Sequence, residues 1–289
     1  MCYTRAMTTL TKTLSKEEIQ ALKTRCKGQI LSEKKPEYTY YQIKTRECTI
    51  TAYTSGKVVF QGKDLSWLEP EKPIVKSTYP QAGSDEVGTG DYFGPVVLSA
   101  TIVTEDVVPT LQKLGIQDSK QINDEKIQEL APKIKELCPH TILIVTPFKY
   151  NQIHLNHNMV DIKCLLHNQA YINLVHKGYT LPEFKIIDQF VQKKSYFHYL
   201  QTSPEVIQDI HFETKAENKY LSVACGSILA RNAFLETWDA MESKYQFHFE
   251  KGAGKKVDVC AQSFIDQFGF SALEKVAKIH FANTKKLSY

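Results

Sequence analysis

Between Pro95 and Val103 the chain reads Pro-Val-Val-Leu-Ser-Ala-Thr-Ile-Val, an almost unbroken apolar run. It is far too short to cross a membrane, and a strand that shows no polar face has to be covered on both sides. The segments downstream can supply that cover. Asn123 can cap a helix over 124–138, which Pro132 interrupts or restarts. Residues 141–145 read as a second buried strand. Met159, Ile162, Leu165, Leu166, Ile172 and Val175 recur at helical spacing up to Gly178. A short strand over 184–188 ends in Asp188. A long helix over 220–245 carries the small-residue patch Ala224-Cys225-Gly226-Ser227, and a last helix is predicted over 271–279. Strands alternating with helices predict an α/β body with helices packed around a central sheet.

The chain ahead of this body has a different grammar. Ser15 and Glu18 form a capping-box pattern for a helix over 15–28 that Gly28 stops. β-branched and aromatic runs over 38–43, 48–53 and 57–62 read as strands, the last two joined by a Ser55-Gly56 turn. Residues 68–82 hold three prolines and read as a linker. The predicted division is therefore a small α+β domain over 1–70, a linker over 71–82 and the larger domain over 83–289. Residues 1–80 carry 14 Lys+Arg against 8 Asp+Glu, and the remainder 22 against 24. A basic module joined to a mildly acidic body suits a polyanion-binding surface beside a carboxylate-rich site. Seven cysteines with no Cys-x-x-Cys pair argue against a disulfide framework and a zinc cluster, and for a reducing cytosol. No run is long and apolar enough for a membrane helix, and Met1–Arg5 lacks the core of a secretory signal. Nothing demands an oligomer, so a cytoplasmic monomer is expected.

Chemistry concentrates at Gly83-Ser84-Asp85-Glu86-Val87-Gly88-Thr89-Gly90. Two adjacent acids at the edge of a core raise one another's pKa unless a cation compensates them. In a regular strand they point to opposite faces. Either the glycine bend re-aims Glu86, or Glu86 serves a second metal or a backbone contact. Asp188, at the end of an apolar strand, needs a partner for the same reason. Brought together, these acids offer hard oxygen ligands suited to Mg²⁺ or Mn²⁺. Two such ions can activate water and stabilise the leaving oxygen of a phosphodiester displacement. The competing reading is that each acid is an ordinary cap or surface charge. Gly88-Thr89-Gly90 is a poor dinucleotide fingerprint, since a strand rather than a helix follows. It reads as a plain turn or as exposed backbone able to sense a ribose 2′-hydroxyl.

The block Gly83–Pro95 resembles the signature of the ribonuclease HIII family. Further blocks agree in order: Asp118-Ser119-Lys120, Ile187-Asp188-Gln189-Phe190, Thr214-Lys215-Ala216-Glu217, Ser222-Val223-Ala224, Ser227-Ile228-Leu229-Ala230-Arg231, Lys251-Gly252-Ala253-Gly254 and Ala277-Lys278-Ile279-His280-Phe281. The resemblance implies a ribonuclease H-like catalytic domain, its helices around a central mixed sheet. It also implies an N-terminal domain similar to the TATA-binding-protein fold that helps hold substrate. The family's acids fall on Asp85, Glu86, Asp188 and Glu217, its ribose-sensing loop on Gly88, Thr89 and Gly90, and a phosphate contact on Lys120. Unaided, the stretch from Glu213 to Lys219 reads as a solvated face. The implied activity is two-metal hydrolysis of the RNA strand of RNA–DNA hybrids, leaving 5′-phosphate and 3′-hydroxyl ends, with no obligate protein partner. Thr89, Glu217, Ala253 and the basic N-terminal domain all depart from the related type 2 enzymes, which remove single ribonucleotides from DNA. A non-catalytic hybrid-binding protein is the other alternative. In the N-terminal domain, Lys44, Arg46, Lys57 and Lys63 lie around strands bearing Tyr40, Tyr41 and Tyr53. These are candidate contacts to phosphates and sugars, although the tyrosines can equally form that domain's own core.

Overall fold

Residues 48–62 hold no acid at all, and apolar residues alternate within them, so one face of each strand there must be buried. The computed structural model of the protein describes residues 8–46, 48–62, 79–116 and 122–289. Lys63, Lys120 and the linker residues 71–78 lie outside them. The chain divides into two compact units, residues 1–75 and 76–289. In the first, β1 (Thr8–Thr13), β2 (Ser32–Lys34), β3 (Thr39–Lys44), β4 (Cys48–Tyr53) and β5 (Lys57–Gly62) form one antiparallel sheet in the order β1-β5-β4-β3-β2. Helix α1 (Lys16–Cys26) starts at the Ser15–Glu18 capping box. It covers one face of the sheet, where Ile19 and Leu22 meet Tyr41, Ile43, Ile50, Val58 and Phe60.

The second unit opens with β6 (Gln81–Val87), which starts two residues before the boundary expected at 83. There follow β7 (Val96–Val103), α2 (Val108–Lys113), α3 (Asp124–Leu137), β8 (His140–Val145), α4 (Pro147–His154) and α5 (Met159–His176). Next come β9 (Phe184–Asp188), α6 (Lys193–Tyr199), β10 (Ile210–Glu213), α7 (Leu221–Tyr245), α8 (Lys255–Phe268) and α9 (Phe270–Leu273). The sheet order is β10-β9-β6-β7-β8: β6, β7 and β8 form an antiparallel meander, and β9 and β10 join parallel to β6. β7 is buried along its whole length, as its apolar run requires. α7, backed by α3, covers one face, and α5 with α6 covers the other.

Three expectations are corrected. Pro132 does not interrupt α3. The helix continues through it because Ile127, Leu130, Ala131 and Ile134 form one buried stripe packed on α7. That burial outweighs the roughly 3 kcal/mol a mid-helix proline costs. The last helix expected over 271–279 is a single turn, α9, since Ala277 leaves it to bridge Phe93. The stretch Glu213–Lys219 is a solvated face only in part: Thr214, Lys215, Asn218 and Lys219 are exposed, but the tight turn after β10 buries Ala216 and Glu217.

Candidate active site

Side chains alternate along β6, and this alternation sorts the residues of the block. Gln81 and Gly83 face α7, where the Gln81 carboxamide oxygen accepts from the Ser222 hydroxyl at 2.9 Å. A Cβ on Gly83 would lie 2.4 Å from the Val223 amide nitrogen, and one on Gly226 3.1 Å from the Ser99 carbonyl oxygen. Only glycine at both positions lets helix and sheet backbones approach this closely. The small-residue patch of α7 is thus the seat of β6. Asp85 faces the same side and lies beside Ser227, whose hydroxyl donates to its carboxylate.

Asp188 reaches that side from the end of β9. Its Oδ1 accepts from the Ala216 amide at 2.9 Å, which fixes the tight turn 216–218 beside the strand end. Lys215 enters that turn in the left-handed region, φ 55°. Glu217 follows with 4% of its surface exposed. Asp85, Asp188 and Glu217 therefore line one cavity of about 260 Å³, closed by Ile127, Ser227, Ile228 and Arg231. Arg231 is already engaged. It donates to Asp124 Oδ1 through Nη2 at 2.6 Å and Nε at 3.0 Å, and to the Ile122 carbonyl at 3.0 Å.

Glu86 faces the other way, toward α5, and does not line that cavity. One carboxylate oxygen pairs with Lys163 and the other accepts from His167 Nε2 at 2.9 Å. Burial raises the Glu86 pKa, but the hydrogen bond and charge of His167, together with Lys163, outweigh it and hold the carboxyl below its ordinary value. Asp85 has no such compensation. Burial first, then the charges of Glu86 and Asp188, push it up to about 8 against the pull of Ser227 and the Glu86 amide.

On the Asp85 side the cluster gathers three carboxylates and the Ser227 hydroxyl around one cavity. All its donors are carboxylate or hydroxyl oxygens, the set that Mg²⁺ and Mn²⁺ prefer. Among the described residues, no three His, Cys, Asp or Glu side chains already close around one point.

The glycine loop, residues 88–90, follows directly on the strand that carries Asp85. Gly88 has φ 86°, and a Cβ there would come within 2.2 Å of the Pro95 carbonyl oxygen. Thr89 is half-buried and Gly90 exposed. The loop is braced against the second glycine segment. Asp91 Oδ1 accepts from the Gly252 amide at 2.6 Å, and the Tyr92 amide donates to the Gly252 carbonyl at 2.8 Å. Behind it, the buried Lys278 ammonium donates to the Gly94 carbonyl at 2.6 Å.

Sequence reasoning missed Lys163 and His167. Their signal was a stripe at a spacing of four, Lys163, His167 and Tyr171, along one face of α5. In the N-terminal unit, Lys57 is exposed at the start of β5. Tyr40 is half-buried and touches the unit's core, and Tyr41 is wholly inside, its hydroxyl donating to the Ile19 carbonyl.

Comparison with known proteins agrees with this architecture. The family model described as Ribonuclease HII matches residues 82–284, and one described as Domain of unknown function (DUF3378) matches residues 10–68. The chain is 39% identical to ribonuclease HIII of Streptococcus gordonii over 287 residues, 96% of each chain. It is 39% identical to ribonuclease HIII of Bacillus mycoides, covering 89% of this chain and 91% of that one. Among solved structures, Bst-RNase HIII in complex with Mn²⁺ superposes with a TM-score of 0.70 at 35% identity, covering 96% of this chain and 97% of that chain. Aquifex aeolicus RNase H3, at 22% identity and a TM-score of 0.57, shares the fold. The sheet, the flanking helices and these likenesses together place the chain in the ribonuclease HIII family, with a ribonuclease H-like catalytic unit.

Proposed function

We propose that Asp85, Asp188 and Glu217, with Glu86 behind them, are the acids through which this enzyme works. The family makes it an endoribonuclease that hydrolyses RNA in RNA–DNA hybrids with a divalent metal, Mg²⁺ or Mn²⁺. The observation that carries the residue assignment is the convergence of three acids from β6, β9 and the 216–218 turn on one cavity, with Asp85 left uncompensated. Metal bound there supplies an activated water and stabilisation of the leaving 3′-oxygen. Asp85 and Asp188 would hold it from adjacent strands, and Glu217 from the turn that Asp188 itself caps. Attack by water on phosphorus with cleavage of the bond to the 3′-oxygen would leave 5′-phosphate and 3′-hydroxyl ends, as the family resemblance implies. The backbone of Gly88, Thr89 and Gly90 is the surface offered to a ribose 2′-hydroxyl, which both donates and accepts. Lys120 remains the candidate phosphate contact.

The N-terminal unit is read as the hybrid-binding module. Residues 39–46 and 48–62 contain no Asp or Glu. The sheet face turned away from α1 presents Gln42, Lys44, Thr49, Lys57 and Gln61. A sheet face that is basic and, among the described residues, free of acids suits a phosphate backbone, with Lys57, Lys63 and Tyr40 as candidate contacts. The protein is read as a cytoplasmic monomer. Among the described residues, no helix is long and apolar enough to cross a membrane, and the cysteines are free thiols.

The test is Asp85→Asn on a long RNA–DNA hybrid, beside a DNA duplex carrying one ribonucleotide. The wild type is expected to prefer the long hybrid. The variant should lose about 10³-fold in kcat while binding the hybrid with unchanged affinity. Cleavage by Asp85→Asn at the wild-type rate would remove the assignment.

A further inference from the structure

The ladder between β6 and β9 ends at Ser84 and Ile187, one residue short of Asp85 and Asp188. Both acids thus lie one step past the last β6–β9 pair: Asp85 is paired outward with Ser99 on β7 and Asp188 with Glu213 on β10, so no direct pairing between β6 and β9 spans the two acids. On the opposite face of the sheet a chain of buried polar groups spans the same two strands. The Tyr171 hydroxyl on α5 donates to the Ile186 carbonyl on β9 at 2.6 Å and lies 3.3 Å from Ser84 Oγ on β6. Ser84 Oγ is 2.7 Å from His167 Nδ1, and His167 Nε2 donates to Glu86. Lys163, one turn earlier on α5, holds the other Glu86 oxygen and stands 3.9 Å above the Phe190 ring. The His167 ring also stacks on Phe190, with centroids 5.2 Å apart. Ser84, His167 and Tyr171 are all 0% exposed.

Polar groups so deep in a core add little stability that apolar residues of the same shape would not supply. What this chain of groups does is local. It begins two residues before Asp188, passes through the residue before Asp85, and ends on Glu86. We propose that His167, with Tyr171 and Lys163, is a positioning residue for the metal site: from the far side of the sheet it sets the spacing of the Asp85 and Asp188 strand ends and the orientation of Glu86. This rests on the assignment of those acids given above. Partners behind the metal-binding groups orient those groups, and their loss weakens metal binding and turnover without touching substrate.

The experiment uses the full-length protein with His167→Leu, His167→Gln and Tyr171→Phe, beside Asp85→Asn. Mn²⁺ affinity is measured without substrate, from the free-ion electron paramagnetic resonance signal, and kcat and KM are measured on a long hybrid. His167→Leu should lose about 10- to 100-fold in Mn²⁺ affinity and in kcat, with KM for the hybrid unchanged. His167→Gln, which keeps a donor toward Glu86, should recover part of both. Tyr171→Phe, which removes one hydroxyl and keeps the shape, should show a smaller loss of the same kind, and it decides the matter if His167→Leu does not fold. Wild-type Mn²⁺ affinity and kcat in a folded variant, or a change in KM alone, would overturn the proposal. If Asp85→Asn is inactive while the His167 and Tyr171 variants match the wild type, the positioning role falls and the acids stand. If Asp85→Asn cleaves normally, both fall.

Discussion

Lys278 is wholly buried, and its ammonium is held by the Phe93 and Gly94 carbonyls at the base of the glycine loop. Burial lowers its pKa from 10.5 to about 7, against the attraction of Asp91. The folded value lies below the unfolded one, so between them the unfolded chain binds the extra proton and stability rises with pH. This group should add about 1.4 kcal/mol per pH unit between roughly pH 7 and 9. Lys278→Met lacks that slope, so its stability relative to the wild type should fall across the window. Urea unfolding of both proteins at pH 6 to 9 measures this, and a pH-independent difference would refute it. At this scale the sequence was readable where chemistry left an anomaly. Asp85 and Asp188 stood out as acids beside apolar strands. Glu217 did not, because its neighbours Glu213, Lys215 and Lys219 read as a wet surface and only folding shows that the turn buries Glu217. His167 was hidden inside an apolar helical repeat, where a histidine reads as filling.

Among elements, the contact of α7 with β6 has the least tolerance. A methyl at Gly83 meets backbone at 2.4 Å, whereas one at Gly226 meets it at 3.1 Å. Gly83→Ala should therefore destabilise by about 3 kcal/mol and Gly226→Ala by clearly less, as read by thermal or denaturant unfolding. Equal effects would contradict the packing described. Apolar runs announced β7, β8 and β9, because burial on both faces leaves its mark in composition. β6 was not predicted as a strand, since residues 68–82 read as a linker and Gly-Ser-Asp-Glu has poor strand propensity. It is a strand because β7 and β9 pair with it on both sides, a tertiary effect invisible from within the segment. α8 escaped notice as well, and Pro132 was given more weight than its buried stripe allows.

For the molecule as a whole, the division into two units gives the sharpest test of the N-terminal sheet. Removing residues 1–75 should leave a folded catalytic unit, because α3, α5 and α7 build their cores around its own sheet. The truncated protein should bind hybrid about tenfold more weakly, with a shallower dependence of log affinity on log salt as phosphate contacts are lost. Unchanged affinity and salt slope would show that the basic sheet face is not a binding surface. The chain's charge asymmetry pointed to this division, but which tyrosines face inward depended on strand register, as Tyr41 shows.

The parallel pairing of β6 with β9 sets Ser84 beside Ile187, and Glu217 arrives only after β10. During synthesis the N-terminal unit and all three meander strands, β6, β7 and β8, are therefore made before any part of β9. The cavity that Asp85 shares with Asp188 and Glu217 is therefore completed only after the later strands have been made.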